Sequence, residues 1–209
     1  MDTPEDAQEF EEMDHSGVNR TFVDDLLAGG EIGKYVVDLG CGPAAIPIEL
    51  CSREDNVQVM AIDSAISMLE VAKIQIDFAG LLDQVFLEHA DVKDMGEFEP
   101  DMAETVMSNS LIHHLAQPEL ALQSALYLLK PGGRLFIRDL YRPDSNETVE
   151  KLVSQYVSNE TQYAQQLFRQ SLCASLTLDE IQDVAGGFGI SKEHVQMTSD
   201  RHWTIDWRD

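Results

Sequence analysis

Basic residues are scarce in this sequence: 14 Lys and Arg stand against 38 Asp and Glu, for a formal net charge of −24. A surface this negative repels phosphate backbones, so nucleic acid and anionic membranes are poor partners, while a small neutral or cationic molecule is easier to hold. The same charge would serve equally as a solubility or salt-tolerance adaptation with no bearing on a substrate. Cysteine is nearly absent. Cys41, Cys51 and Cys173 make a poor disulfide framework, and with no CxxC pair a structural zinc site has no support. Neither HExxH nor HxxxH spacing occurs, and the adjacent His113 and His114 cannot both point comfortably at one ion, so no metal is expected. Apolar runs are short, none reaching the roughly 18 residues that a membrane span requires. The residues Met1 to Glu12 are acidic, unlike a secretory signal or an Arg-rich transit peptide, and a cytoplasmic protein is expected. Repeats and low-complexity linkers are also missing, and 209 residues with 44% hydrophobic content suit one well-cored domain.

What is present is an alternation of apolar periods. Phe22, Val23, Leu26 and Leu27 recur at helix spacing, and Gly29-Gly30 closes that segment. Short apolar runs at 35–39, 57–62, 84–89, 105–108 and 134–140 read as strands, and between them fall helical patterns at 43–53, 64–79 and 118–129. Lys130-Pro131-Gly132-Gly133 reads as a turn into the fifth strand. This βαβα order predicts a mostly parallel sheet with helices on both faces, a three-layer α/β sandwich. Beyond it, 144–169 reads as one long helix or two broken ones. Thr177-Leu178-Asp179-Glu180 fits a capping box, and two strands are expected at 190–196 and 202–207, with Trp203, Ile205 and Trp207 on one core-facing side.

The first strand–turn–helix carries the chemistry. Gly40 and Gly42 let the backbone turn sharply and approach a ligand, and Pro43 suits a first helical position. Gly40 to Ala45 also matches the GxGxxA form of a dinucleotide fingerprint. Asp38 separates the readings, because its carboxylate would repel a pyrophosphate but favour an ammonium group. Asp63, 25 residues after Asp38, ends the second strand and can accept hydrogen bonds from both hydroxyls of a ribose. Asp91 follows the third strand and can accept from an adenine amino group, with Met68, Ala90 and Val92 as apolar cover for the ring. Singly, each acid is an ordinary loop solvator or helix cap. Three at successive strand ends mark the edge where α/β sheets bind ligands.

These residues resemble the class I S-adenosylmethionine-dependent methyltransferases. Val36 to Gly42 is similar to the family's first motif, Ala61-Ile62-Asp63-Ser64 with Met68-Leu69 to its second, and His89 to Val92 to its third. Ser108 to Leu115 is similar to the fourth and Leu129 to Leu135 to the fifth. The resemblance covers about Tyr35 to Leu140 closely and the rest loosely. It implies a seven-stranded sheet of order 3-2-1-4-5-7-6 with the last strand antiparallel. It also implies S-adenosylmethionine held by Asp38, Gly40, Cys41, Gly42, Asp63, Ser64, Met68, Asp91, Val92 and Asn109. Ala44 departs from the pattern, standing where the family often has a third glycine, and a slightly tighter pocket is expected there.

Methyl transfer from a sulfonium needs alignment and water exclusion, and a general base only if the nucleophile carries a proton. His113 and His114, on the loop after strand four, are the candidates for that base, and Asp139, Tyr141 and Arg142 follow strand five. A turn cap packed against Leu111 and Leu115 is the competing role for the His pair. Arg142 could grip a substrate carboxylate or form an ordinary surface ion pair. As one domain over 1–209, the chain divides into a helical lid (1–30) with His15 at its hinge, a cofactor core (31–140), an insertion walling the acceptor (141–176) and a final helix and strands (177–209). His15, Tyr141 and Arg142 are the candidate substrate contacts, and the expected acceptor is a small, partly apolar molecule methylated on O, N or C. A cofactor-binding accessory subunit without turnover and an NAD-type oxidoreductase on a related sheet are the alternatives.

Overall fold

A computed structural model describes residues 16–209. Helix α1 (Ser16–Ala28) precedes strand β1 (Tyr35–Leu39), α2 (Ala45–Cys51), β2 (Gln58–Asp63), α3 (Ile66–Ala79), β3 (Val85–His89) and β4 (Ala103–Asn109). A 3-10 turn (Ile112–His114) leads to α4 (Glu119–Leu128), β5 (Leu129–Leu140), α5 (Asn146–Tyr156), α6 (Gln162–Ala174) and α7 (Leu178–Gly186). A second 3-10 turn (Lys192–His194), β6 (Val195–Met197) and β7 (His202–Arg208) complete the chain. The seven strands form one sheet in the order β3-β2-β1-β4-β5-β7-β6, as the resemblance implied. Pairings from β3 to β5 are parallel, and β7 runs antiparallel to both β5 and β6.

Strands covered on both faces need continuous apolar runs. In β1 every residue after Tyr35 is buried, whereas β3, at the sheet's edge, leaves Phe86 exposed. The two large core clusters lie on opposite faces. One gathers α4, α7 and the β7 side chains Trp203 and Ile205, and the other gathers α1, α2 and α3. Helix α1 is fixed to its face by aromatic and ionic contacts. Phe22 meets Phe136 edge-on at 5.0 Å, and the fully buried Arg134 donates to Leu26 O at 2.6 Å and to both oxygens of Asp206 at 2.7 and 2.9 Å. Arg138, also buried, donates to Thr204 Oγ1 at 3.0 Å and Asp25 Oδ2 at 2.6 Å.

Two local expectations are revised, and one left between alternatives is decided. Strand β5 begins at Leu129, because the Lys130–Gly133 segment is a bulge and not a full turn: pairing with β4 steps from Ala103↔Leu129 to Thr105↔Arg134. Extra residues on one strand leave the ladder unpaired locally without ending it. The 144–169 segment is two helices, with Ser145 and Thr161 each capping its own start by accepting from a backbone N–H. The strand expected over 190–196 shrinks to Val195–Met197, since Lys192–His194 coil into the 3-10 turn. The Thr177/Glu180 capping box forms in full. Among the described residues, no helix is long and apolar enough to cross a membrane.

Candidate functional site

The carboxyl ends of β1, β2 and β4 converge on a tight turn. Gly40 and Cys41 both donate to Ile62 O, at 2.8 and 3.0 Å, which folds the chain back over β2. Gly40 sits at φ 72°, and a Cβ there would lie 2.8 Å from Leu111 Cδ1, so both conformation and space require glycine. Gly42, at φ 52°, has nothing within 4 Å of where its Cβ would be and lines a cavity of about 320 Å³. Asp63 braces the turn, its Oδ2 accepting from Gly42 N and its Oδ1 from Ala65 N, each at 2.8 Å. A carboxylate has about four lone-pair positions, so Asp63 keeps acceptor capacity for a ligand. Ala44 takes φ 61°, and its methyl belongs to the core cluster behind the turn and not to the cavity lining.

Asp38 lines the same cavity while being only 2% exposed. Burial, reinforced by the charge of Asp63, pushes its carboxyl pKa up to about 8. A buried acid in that state is poised to ionise when a cation arrives. Across the cavity, Asn109 Nδ2 donates to Ser110 Oγ at 3.2 Å while its buried Oδ1 has no partner among the described residues. Ser110 adopts φ 59°, turning the chain sharply off β4.

Beyond β4 the cavity is built differently. Asp139 accepts four hydrogen bonds: from Ile112 N at 2.5 Å, His113 N at 3.3 Å, its neighbour Leu140 N at 2.6 Å and His113 Nδ1 at 2.6 Å. When Nδ1 carries the proton shared with the carboxylate, Nε2 is the ring nitrogen of His113 left to face a ligand. The His114 ring lies 4.0 Å from that of His113 and is held down to a pKa of about 4 by burial and then by its neighbour's charge. His202 is likewise lowered to about 4 by burial and then by Arg201. Ala164, Leu167, Phe168 and Ser171 of α6 close one wall, and Val18 and Asn19 of α1 reach the rim.

The cavity thus brings together Asp38, Gly40, Cys41, Gly42, Asp63, Ser64, Met68, Asn109, His113 and His114. Four other candidates lie outside its lining. Asp91 is turned to solvent, accepting from Lys93 N at 3.0 Å and pairing with Lys93 Nζ at 3.0 Å. Val92 is buried in the core cluster beside α4. Tyr141 packs against that cluster from above, and Arg142 pairs with Glu180 at the start of α7 and donates to Ser175 O. His15 lies outside the described residues. Nothing in the linear pattern marks Arg201 and His202, which also line the cavity. Their signal is topological: an antiparallel last strand starts at the edge where parallel strands end, and Leu140 pairs with His202. The three cysteines are free, and Cys41, though in the lining, has its thiol pKa raised well above the ordinary value by burial and by Asp38. Among the described residues, no group of three or more His, Cys, Asp or Glu is placed to hold a metal ion.

A family model described as a methyltransferase domain matches residues 31–201. A ubiquinone biosynthesis O-methyltransferase from Xanthomonas euvesicatoria is 28% identical over 126 residues, which are 60% of this chain and 51% of that protein. The chain spans about half the length of the curated relatives it matches. Among solved structures, a SAM-dependent methyltransferase from Aquifex aeolicus superposes with a TM-score of 0.73 at 15% identity, covering 99% of this chain and 98% of that one. An N-methyltransferase from Haemonchus contortus, in complex with S-adenosylhomocysteine, gives 0.61 at 23% identity over 81% of this chain and 36% of that one. At these identities the structural likeness speaks for the fold.

Proposed function

For a chain that belongs to the class I S-adenosylmethionine-dependent methyltransferases, we propose transfer of the cofactor's methyl group to an O, N or C nucleophile of a small molecule. The observation that carries this reading is the single cavity that joins the Asp38–Gly42 turn to the Asp139–His113 pair. Its volume, about 320 Å³, suits a small ligand and not a macromolecular strand.

The residues fit the cofactor on three counts. Asp38 supplies a buried carboxylate for the methionyl ammonium, Gly42 leaves open space beside the backbone, and the unpartnered Oδ1 of Asn109 awaits a donor. Asp63 would accept from the ribose hydroxyls, with Met68 and Ser64 beside it. Asp91, whose carboxylate keeps lone pairs beside the exposed Lys93 pair, would accept from the adenine amino group, with Val92 next to it. When bound, the cofactor supplies an electrophilic methyl carbon, and the bond from its sulfur to that carbon breaks as the bond to the acceptor forms. The remaining work falls to this chain. Helix α6 and the first turn of α1 exclude water, acting as the acceptor wall and the lid. His113, held by Asp139, offers Nε2 to any proton that the acceptor must lose. His114, uncharged near neutral pH, packs beside it and offers no second charge.

Calorimetric titration with S-adenosylhomocysteine tests the first step, with micromolar affinity expected; no measurable binding would remove the reading. Given binding, His113→Ala is expected to lower turnover by about 100-fold with unchanged affinity for the product. Undiminished turnover in that variant would take the base role from His113 and leave the cofactor assignment standing.

A further inference from the structure

Among the described residues that line the cavity, the acids Asp38 and Asp63 both lie on the cofactor side, and the one permanently charged cation, Arg201, lies on the other. Three strand spacings of about 4.8 Å separate β1 from β7 in the sheet order, which puts Arg201 roughly 14 Å from the Asp38 turn. That distance sets the Arg201 backbone on the side of the cavity away from the methionyl end, where an acceptor would enter.

Arg201 is unlike the other described arginines. Arg20, Arg53, Arg134, Arg138, Arg142 and Arg169 each pair with a carboxylate, and Arg208 donates to Glu31 O. Arg201 makes no ion pair among the described residues, although 38 acids are available in the chain. Its plane is held over the Tyr156 ring at 3.3 Å from the centroid, and Tyr156 is anchored by donating to Asp200 at 2.8 Å. One guanidinium nitrogen, Nη1, is buried without a hydrogen-bond partner. A donor left unmet in this way destabilises the empty site, and a ligand bearing an acceptor group recovers that loss. The stack preorganises a planar fork, and a planar carboxylate matches a fork bidentately. A phosphate dianion would call for more than one cation, and the cavity that Arg201 lines also presents the apolar side chains of Leu140, Leu167 and Phe168.

We propose that the methyl acceptor is a small carboxylic acid with an apolar body, its carboxylate gripped by Arg201 while the nucleophile faces His113. This rests on the methyl-transfer reading above. Asp200 and Tyr156, the groups that act on Arg201 from its own side, hold the guanidinium in place without closing a direct ion pair on it.

The test is incubation of the full chain with isotopically labelled S-adenosylmethionine and a small-molecule extract split on an anion exchanger, followed by accurate-mass identification of labelled products. Label is expected in the anion-retained fraction, in a carboxylic acid without phosphorus. Arg201→Gln should then cut transfer at low acceptor concentration by about 10-fold or more, through KM and not kcat. Arg201→Lys should restore part of it, and both variants should bind S-adenosylhomocysteine as the native chain does, which also certifies their folding. Label only in neutral or cationic fractions, a phosphorus-containing product, or native rates in Arg201→Gln would overturn the proposal and spare the methyltransferase reading. Loss of S-adenosylhomocysteine affinity in Arg201→Gln would move the residue to the cofactor and overturn it equally. No binding by the native chain, or no label in any fraction, would defeat the underlying reading and this inference with it.

Discussion

Two buried carboxyl groups at one sheet edge do opposite things because their partners differ. Asp139 accepts four hydrogen bonds and orients a histidine, whereas Asp38 is 2% exposed with its pKa raised to about 8 by burial and by Asp63. A raised carboxyl pKa works against the empty fold as pH climbs from the unfolded value of about 4 toward 8, since the unfolded chain gives up that proton first. Cofactor binding inverts the balance. Below about 8 the free protein holds Asp38 protonated, and pairing it with an ammonium expels that proton, so affinity rises with pH. At still higher pH the ligand's own ammonium, held up by the carboxylate beside it, loses its proton, and affinity falls. Titration calorimetry with S-adenosylhomocysteine should therefore give a bell with its maximum above pH 8 and an acid limb of about tenfold per pH unit. Asp38→Asn should bind more weakly at pH 8 and lose the acid limb. A native profile flat from pH 6 to 8 would mean that Asp38 enters the complex uncharged.

At the scale of elements, the helix that reaches the cavity rim is held by arginines from two central strand positions. Arg134 is fully buried, with its partner Asp206 on β7 and the carbonyl of Leu26 on α1. Removing the carboxylate leaves a buried guanidinium with one backbone acceptor, and Asp206→Ala should destabilise the protein by about 2–3 kcal/mol, read by denaturant unfolding. Arg134→Met with Asp206→Ala should recover much of that loss; failure to do so would show that the pair contributes more than mutual neutralisation. Neither arginine was legible in the sequence. Arg134 and Arg138 stand in an apolar run whose period identifies a strand, but the partners Asp206 and Asp25 are 72 and 113 residues away. What was legible is what is local. The strand β1 bounds, the capping box at Thr177 and the glycine turn follow from short-range pattern, and the sheet order followed from the resemblance. The Lys130–Gly133 bulge and the 3-10 turn before β6 were misread because Gly and Lys-Glu-His runs suit several local conformations, and the sheet's pairing selects one. The same limit hid Arg201 and His202, which an antiparallel strand delivers to the site from the far end of the chain.

Over the whole molecule, 38 acids and 14 basic residues leave at least 24 acids without a one-to-one partner, by the difference of the two counts. Several of the bases are already engaged on the surface, Arg53 with Asp24 and Glu49 and Arg169 with Glu150. Such exposed pairs contribute little each, and salt weakens them. The repulsion among the unpaired acids is longer in range, so shortening the Debye length from about 10 Å at 0.1 M to about 3 Å at 1 M relieves repulsion more than it weakens the pairs. Tm should rise with sodium chloride by about 5 °C over that interval, with most of the gain complete near the middle of it, because screening saturates. A gain that stays linear in concentration would belong to salt exclusion from the surface and not to charge. A falling Tm would mean that the ion pairs outweigh the repulsion. The cavity gives the internal contrast. Asp38 is too buried for mobile ions to reach, so the affinity for S-adenosylhomocysteine should change by less than about threefold across the same salt range. A steep loss would place the cofactor's ammonium at an exposed acid instead.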